Sequence, residues 1–340
     1  MTILVTGGAG YIGSHMVYAL HDAGERVVVL DNLSTGFDWA VAPGTPLVVG
    51  ETGDQALVAQ IIREHEVDAI IHFAASIVVP DSVRDPLGYY RNNTVNSRAL
   101  MECAIKYGVR CFIFSSTAAV YGNPVEIPVR EDSPTLPISP YGWSKLMTEV
   151  MLRDASAAHG LKHVILRYFN VAGADPKGRT GQSTAGATHL IKVAVEAALG
   201  LRPKIDVFGT DYPTPDGTGI RDYIHVSDLV LAHRDALRAL RAGAPSATYN
   251  CGYGHGFSVR QVIDAVKRVS GVDFKVETAP RRAGDPAQIV ADSAQIRKAL
   301  QWQPRYDDLA KIVEDALKWE RRLMERRGEQ TNPRVQSARA

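Results

Sequence analysis

The chain has 340 residues, 45% of them hydrophobic and 22% charged, and its formal net charge is +1. That is the make-up of a globular protein with two domains, or one large α/β domain with an elaboration. It excludes the strong field that recruits nucleic acid or an anionic membrane surface, and no apolar run is long enough to span a bilayer. Cys103, Cys111 and Cys251 are far apart and form no C-x-x-C pair. They read as reduced, buried residues of a cytoplasmic protein, with neither a disulfide framework nor a metal site. The ten histidines show no metal spacing, because Gly160 breaks the helical face between His159 and His163. No signal peptide is expected, since Ile3-Leu4-Val5 runs straight into a glycine-rich turn.

Thr2 to Thr6 reads as a buried parallel strand. Gly7-Gly8-Ala9-Gly10-Tyr11-Ile12-Gly13 follows, and then a helical pattern through Val17, Leu20 and Ala23. G-x-x-G-x-x-G between a strand and a helix is a spacing variant of the dinucleotide fingerprint. Its glycines permit a tight turn, close approach to a pyrophosphate, and helix–sheet packing, with the diphosphate on the helix N-terminus. The second strand, Arg26 to Leu30, ends in Asp31. An acid about 20 residues past the glycines is placed for the adenine-side ribose hydroxyls. It would repel a 2′-phosphate, and Ala9 offers no cation to bind one, so NAD is favoured over NADP.

Thr45 to Val49 is a third strand, followed by a helix near Gln55 to Glu64. Asp68 to Phe73 is a fourth, ending in Ala74-Ala75-Ser76, small residues that let backbone approach a ligand. Residues 84 to 107 are mostly helical. Arg110 to Ser115 is a fifth strand leading into Ser116 and Thr117, hydroxyls on the expected ligand side of an open sheet. Hydroxyls after strands also satisfy loop amides, so alone they are ambiguous. His163 to Tyr168 is a sixth strand. This alternation predicts an α/β fold, a doubly wound parallel Rossmann sheet.

Between the fifth and sixth strands, Ser139-Pro140-Tyr141-Gly142-Trp143-Ser144-Lys145 reads as a helix start. Ser139 can cap the free amides and Pro140 suits the first helical position. Tyr141 and Lys145 then share one face. An ammonium close to the phenol lowers its pKa from near 10, which makes the pair an acid/base unit for a hydroxyl proton. By itself the spacing is better read as a solvated helix face.

In the second half, residues 171 to 187 read as a long loop and Thr188 to Leu199 as a helix. Asp206 to Phe208 is a short strand, Tyr212 to Gly219 a Pro/Gly loop, and Ser227 to about Leu240 a helix. Thr248 to Cys251 is a strand placed to rejoin the sheet. Ser258 to Val269 and Asp307 to Met324 are amphipathic helices. The domains expected are an NAD-binding unit over residues 1–170, joined by the strand near 247–251, a smaller C-terminal α/β substrate domain over 171–325, and a frayed polar tail over 326–340.

The glycine loop, a hydroxyl after the fifth strand and Tyr-x-x-x-Lys together resemble the extended short-chain dehydrogenase/reductase family. Within it, longer strings resemble the UDP-glucose 4-epimerase group: Val5 to His15, Asp31 to Ser34, Phe112 to Thr117 with Val120-Tyr121-Gly122, Leu166 to Asn170, Phe208 to Thr214, Gly217 to Val226, and Ala279 to Asp285. The resemblance covers about residues 1 to 325 and implies inversion at C4 of a UDP-sugar with no net redox. Tyr141 would take the 4-hydroxyl proton while hydride leaves C4, Lys145 and the oxidised nicotinamide would lower the Tyr141 pKa, and Thr117 would hydrogen-bond the reacting hydroxyl.

The resemblance also implies which residues hold the ligands. On the cofactor side these are Gly7, Gly10, Tyr11, Ile12 and Gly13, then Asp31, Asn32, Leu33, Ser34, Thr35 and Gly36. Phe73, Ala74, Ala75, Ser76, Ile77, Asn93 and Phe169 follow, with Thr117, Tyr141 and Lys145. The chain has Gly50-Glu51 where many members have Gly-Asp, so Glu51 with Thr52, or else Asp54, would face adenine. Ile77 stands where some members have Lys, which removes one polar contact. For the nucleotide sugar, Arg221 and Arg282 would bind the diphosphate, Asp285 a ribose hydroxyl, and Val207 and Phe208 would flank uracil. Asn170 and His189 would meet the diphosphate or sugar. Members pair through the helices at 84–107 and 141–158, which implies a homodimer.

Ala118-Ala119 replace the acidic pair of 4,6-dehydratases, which argues against that reaction. Epimerisation of UDP-N-acetylglucosamine, UDP-xylose or UDP-glucuronate stays open, as does a non-catalytic NAD-sensing Rossmann protein. The Tyr141–Lys145 pair speaks against the latter.

Overall fold

A computed structural model of the chain describes residues 1–282 and 285–331. Ala283 and Gly284, within the string from Ala279 to Asp285, and residues 332–340 of the expected tail lie outside the described residues.

The first half alternates strand and helix. In chain order it runs β1 (Thr2–Thr6), α1 (Tyr11–Asp22), β2 (Arg26–Asp31), β3 (Leu47–Val49), α2 (Gln55–Glu64), β4 (Val67–His72), α3 (Val79–Arg84), α4 (Pro86–Tyr89), a π-helical stretch (Tyr90–Val95), α5 (Asn96–Lys106), β5 (Cys111–Thr117), α6 (Pro140–His159) and β6 (Lys162–Tyr168). The second half continues with β7 (Asn170–Ala172), α7 (Leu190–Ala198), β8 (Ile205–Phe208), β9 (Ile220–Arg221), β10 (Tyr223–His225), α8 (Val226–Arg241) and β11 (Ala247–Cys251). It closes with β12 (Phe257–Ser258), α9 (Val259–Ser270), β13 (Val276–Ala279), β14 (Gln288–Ile289), α10 (Ala294–Leu300) and α11 (Leu309–Thr331).

Seven strands form one parallel sheet in the order β11-β6-β5-β4-β1-β2-β3. Side chains alternate across it, and both faces are apolar. Ile3, Val5, Ile71 and Ile113 pack with Met16 and Leu20 of α1 and Leu229 and Leu237 of α8. Leu4, Ile70, Phe112 and Phe114 pack on the other face with Val58 and Ile62 of α2, Leu100 of α5 and Leu152 of α6. The chain leaves β1 toward β2 and β3, then returns to lay β4, β5 and β6 on the other side. Order therefore reverses between β1 and β4, the crevice where such sheets bind ligands.

The smaller unit consists of three small sheets, β10-β7, β12-β9-β14 and β13-β8, with α7, α9, α10 and α11. Its apolar residues Val195, Ile205, Val262 and Ile312 belong to the same cluster as Ile3 and Met16, so one continuous core joins the two units. The segment after β7 docks on α1. The Tyr11 hydroxyl donates to Gly173 O at 2.7 Å, Ser14 Oγ lies 2.8 Å from Thr180 Oγ1, and Arg179 Nη1 donates to Asp22 at 2.9 Å.

Several boundaries differ from the sequence expectation by a residue or two, β3 for instance starting at Leu47, and β7 takes the start of the loop expected over 171–187. Two further differences have a clear cause. β5 runs on through Ser116 and Thr117, because both pair in register with Arg167 and Tyr168 of β6. The last helix, expected to stop at Met324, continues to Thr331. The Arg326 guanidinium lies 4.2 Å from the Trp39 ring centroid, and Trp39 stacks on Trp319 at 6.2 Å. These contacts give the first turn of the expected tail a surface to lie on.

Four histidines are buried neutral in this fold. Burial lowers His15, His163 and His233 to about 4 and His72 to about 3. In the unfolded chain they titrate near 6.5. The unfolded state therefore binds more protons, and stability falls as pH drops from about 6.5 toward 4. Asp22, Asp175 and Asp315 are held below the usual carboxylate range, so their contribution is lost at still lower pH. Urea midpoints should decline from pH 7 to pH 4.5, and a flat profile over that window would contradict the neutral assignment.

Candidate active site

β1 ends in a turn that only glycine fits. Gly7 has φ +69°, and a Cβ on it would lie 2.7 Å from Ala74 N, just past the end of β4. Gly10 caps α1 without any side-chain acceptor, so the first-turn amides point outward unpaired by a cap. Asp31 at the end of β2 does not stand free. Its carboxylate accepts from Ala9 N at 2.9 Å and from Leu33 N at 2.8 Å, tying the glycine loop to the segment from Asn32 to Gly36. Phe37 N donates to Ala9 O at 2.9 Å, which wraps that segment over the loop. A cavity of about 180 Å³ lies here, lined by Ala9, Gly10, Tyr11, Ser14, Thr35 and Phe37 and covered by Gly181, Ser183 and Thr184. Uncapped amides at a positive helix end, in a cavity whose lining holds no carboxylate, fit a diphosphate.

Beside it, the two acids considered for adenine part company. Asp54 is the cap of α2, accepting from Ala56 N and Leu57 N at 3.1 Å each. Glu51 is exposed at the end of β3 and accepts from Asn32 Nδ2 at 2.9 Å. Thr52 is buried next to it. On the far side of the crevice, Phe73, Ala74, Ala75 and Ser76 are partly exposed and Ile77 is exposed. Asn93 is buried, with its amide spent on the Ser76 backbone (2.7 and 2.9 Å) and on Ser144 Oγ (3.0 Å). It therefore positions the segment after β4.

Ser139 Oγ accepts from Gly142 N at 3.2 Å and Pro140 opens α6, as the sequence predicts. Gly142 lets this helix end sit close to β5, since a Cβ there would lie 2.7 Å from Ala119 O. Tyr141 is buried and in hydrogen-bond contact with Thr117, the last residue of β5. Lys145 is buried as well. Its Nζ donates to Ser115 O at 2.9 Å and lies 4.9 Å from the Phe114 ring centroid.

The electrostatics correct the sequence reading. Lys145 was expected to depress the Tyr141 pKa, but burial dominates both groups. Burial pushes Tyr141 up to about 12, only partly offset by Thr117, and pushes Lys145 down to about 7. Tyr168, at the end of β6, is raised by burial and by Tyr141.

Across the crevice, a cleft of about 490 Å³ opens between Tyr11, Asn170, His189, Tyr223, Lys192 and Trp319. Of the residues expected to hold a nucleotide sugar, Asn170 and His189 line it. His189 is half-buried, and desolvation lowers its pKa. Phe169 is buried beside Ala118 and Leu146. The remaining ones sit around β8 and β9. Val207 is buried in the core, while Phe208 is partly exposed beneath the Arg282 guanidinium, 3.8 Å from its ring centroid. Arg221 and Asp285 both act electrostatically on the Tyr212 phenol.

Residues 3–252 match the sequence profile of the NAD dependent epimerase/dehydratase family. The chain belongs to this family. It is 58% identical over 97% of its length to a UDP-glucose 4-epimerase of Azospirillum brasilense, 95% of which is covered. A crystal structure of UDP-glucose 4-epimerase superposes with a TM-score of 0.92 at 46% identity, covering 95% of this chain and 98% of that one. The UDP-glucose 4-epimerase of Bifidobacterium longum, solved in complex with NAD⁺ and UDP, gives 0.90 at 36% identity over 95% and 98%. NAD is accordingly the cofactor of this family member.

Sequence reasoning missed several residues around this site. Glu149 and Arg167 form a buried ion pair behind Lys145. Lys192 pairs with Glu320 and donates to Gln182 O at 3.1 Å in the wall of the larger cleft. The one available signal was Glu149 lying two helical turns beyond Tyr141. Lys192 and Glu320 are far apart in sequence and carry no local signal. Among the described residues no group of three or more His, Cys, Asp or Glu could hold a metal. None of the described helices is long and apolar enough to cross a membrane.

Gly7→Ala should yield a folded protein that carries far less NAD after purification, read by acid release and enzymatic assay. Gly24→Ala makes the control, because Gly24 has a similar φ of +74° but open space around it. Equal NAD content in the two variants would contradict the close approach at Gly7.

Proposed function

We propose that this enzyme interconverts UDP-glucose and UDP-galactose by inverting C4 of the sugar. The observation that carries the reading is the meeting of the buried Tyr141 and Thr117 side chains at the carboxyl edge of the parallel sheet. The high identity to UDP-glucose 4-epimerases across nearly the whole chain supports this substrate over other UDP-sugars.

When bound, NAD supplies the hydride acceptor and donor for C4. The chain supplies proton transfer and positioning. Tyr141 takes the proton from the 4-hydroxyl and returns it after the keto sugar has turned its other face. Thr117 bonds the same oxygen and holds it against the phenol. Lys145, itself lowered to about 7 by burial, favours the phenolate in its protonated form, opposing the burial that pushes Tyr141 up. Since the base form of Tyr141 is scarce at low pH, turnover rises with pH along an acid limb.

For the cofactor, the reading assigns the diphosphate to the amides of Gly10 to Gly13, a ribose to Asp31 and the segment from Asn32 to Gly36, and the adenine edge to Glu51 and Thr52 in preference to Asp54, which is spent on its helix. Phe73 to Ile77 and Phe169 flank the nicotinamide end. For the substrate, Arg221 and Arg282 take the diphosphate, Asp285 a ribose hydroxyl, and Val207 and Phe208 the uracil. Asn170 and His189 take the diphosphate or sugar from the wall of the larger cleft. Residues 1–170 with β11 thus carry NAD, and residues 171–325 the nucleotide sugar. Three free, buried cysteines suit the reducing cytoplasm.

The reading also includes a homodimer. Trp143, Met147 and Val150 form a stripe on α6 that is 39%, 41% and 42% exposed, and Val95, before α5, is 52% exposed. Two copies pairing through these helices bury both patches.

Purified protein given UDP-galactose and no added NAD should form UDP-glucose. Tyr141→Phe should lower kcat by about 100-fold or more while leaving the fold and KM largely intact. Full turnover by that variant would refute the role given to Tyr141. Sedimentation should give a mass near two chains, and Trp143→Glu should move it toward one. A wild-type monomer would exclude the dimer.

A further inference from the structure

Behind Tyr141 and Lys145, α6 carries a third polar residue at the same spacing. Glu149 follows Lys145 by four residues, the separation at which helical Lys and Glu side chains pair. Its side chain is fully buried. Lys145 nonetheless bonds to Ser115 O. The Glu149 carboxylate is held from the sheet. Arg167 Nε donates to its two oxygens at 3.0 and 3.2 Å, Arg167 Nη2 donates at 2.6 Å, and Ser116 Oγ donates at 2.5 Å. Arg167 is in turn fixed by the Tyr121 hydroxyl at 3.0 Å and Glu131 O at 3.2 Å, with its guanidinium 5.0 Å from the Tyr121 ring centroid.

Burial lowers Lys145 to about 7, and the Glu149 carboxylate one turn away favours its charged form, but unless held elsewhere that carboxylate would draw the ammonium to itself and away from Tyr141. We propose that Arg167 is a positioning residue for catalysis, which by clamping Glu149 against β5 and β6 keeps the Lys145 charge unpaired and available to the Tyr141 end of the cleft. The proposal rests on the base role given to Tyr141 above.

The other groups around the pair do not substitute for this clamp. His72 on β4 is neutral, lowered to about 3 by burial. Tyr89 on α4 and Tyr168 on β6 are pushed up by burial, and so is Tyr121, to about 12. Glu131 acts on Arg167 from the loop before α6, and burial raises its pKa while its carboxylate accepts from Asn250 N.

The test is the acid limb of kcat against pH with UDP-galactose, for holoenzyme of the wild type, Arg167→Met, Glu149→Gln and the double variant. Arg167→Met frees the Glu149 charge to pair with Lys145, which raises the Tyr141 pKa and moves the limb up by about one pH unit. Glu149→Gln leaves the Arg167 charge uncompensated and moves the limb down. The double variant removes both charges and returns the limb to within a few tenths of the wild type. KM for UDP-galactose stays unchanged throughout, because neither residue reaches the crevice. Singles that shift the same way, or not at all, overturn the proposal, as does a double variant no closer to wild type than its parents. A merely structural pair would lower stability without opposite limb shifts. Should Arg167→Met fail to fold, the downward shift in Glu149→Gln and its reversal in the double variant decide the matter. A wild type that does not turn over UDP-galactose would instead remove the proposed activity.

Discussion

The parallel pairing of β1, β4, β5 and β6 is the constraint on which the rest of this structure depends. Parallel strands send all their carboxyl ends to one edge. That edge therefore gathers the glycine loop after β1, Ala74 after β4, Thr117 at the end of β5 and Tyr168 at the end of β6. None of these residues is near another in sequence. The crossover helices are needed to return the chain to the opposite edge, and α6, leading from β5 to β6, starts at the carboxyl edge with Tyr141 and Lys145 in its first two turns.

Desolvation is the second force at this edge, and it acts against ionisation. Tyr141 and Lys145 are each pushed toward their neutral forms by burial. Charge in such a place has to be managed by neighbours, since unpaired buried charge is costly. The Glu149–Arg167 pair, with Ser116 and Tyr121 around it, satisfies its own hydrogen bonds and leaves Lys145 to the cleft.

The two halves are one body because they share a core and because the segment after β7 lies across α1. Trp319 of α11 stacks on Trp39 and donates from Nε1 to Ser183 Oγ at 3.2 Å. The same helix lines the larger cleft through Ala316, Trp319 and Glu320. One helix therefore touches the segment covering the glycine loop and the wall of the proposed substrate side.

The sequence by itself determined the class of fold and the chemistry on offer. Alternating apolar strands and amphipathic helices dictate a doubly wound sheet. Gly7, with its left-handed φ, and Gly10, with no side chain to cap α1, are legible because only glycine meets those local demands. Ser139 and Pro140 likewise announce the start of α6 through local capping physics. What only the tertiary structure decided is how these groups are charged and spent. Asp54 turned out to be a helix cap, Asn93 a brace for the segment after β4, and Tyr141 a phenol raised by burial when its local partner predicted the reverse. Arg167 and Glu149 met only because β6 lies beside β5 under α6. Capping, turn geometry and periodicity act over a few residues and are written locally. Desolvation and ion pairing depend on which distant segments exclude water from a group, and that is settled only when the chain has closed on itself.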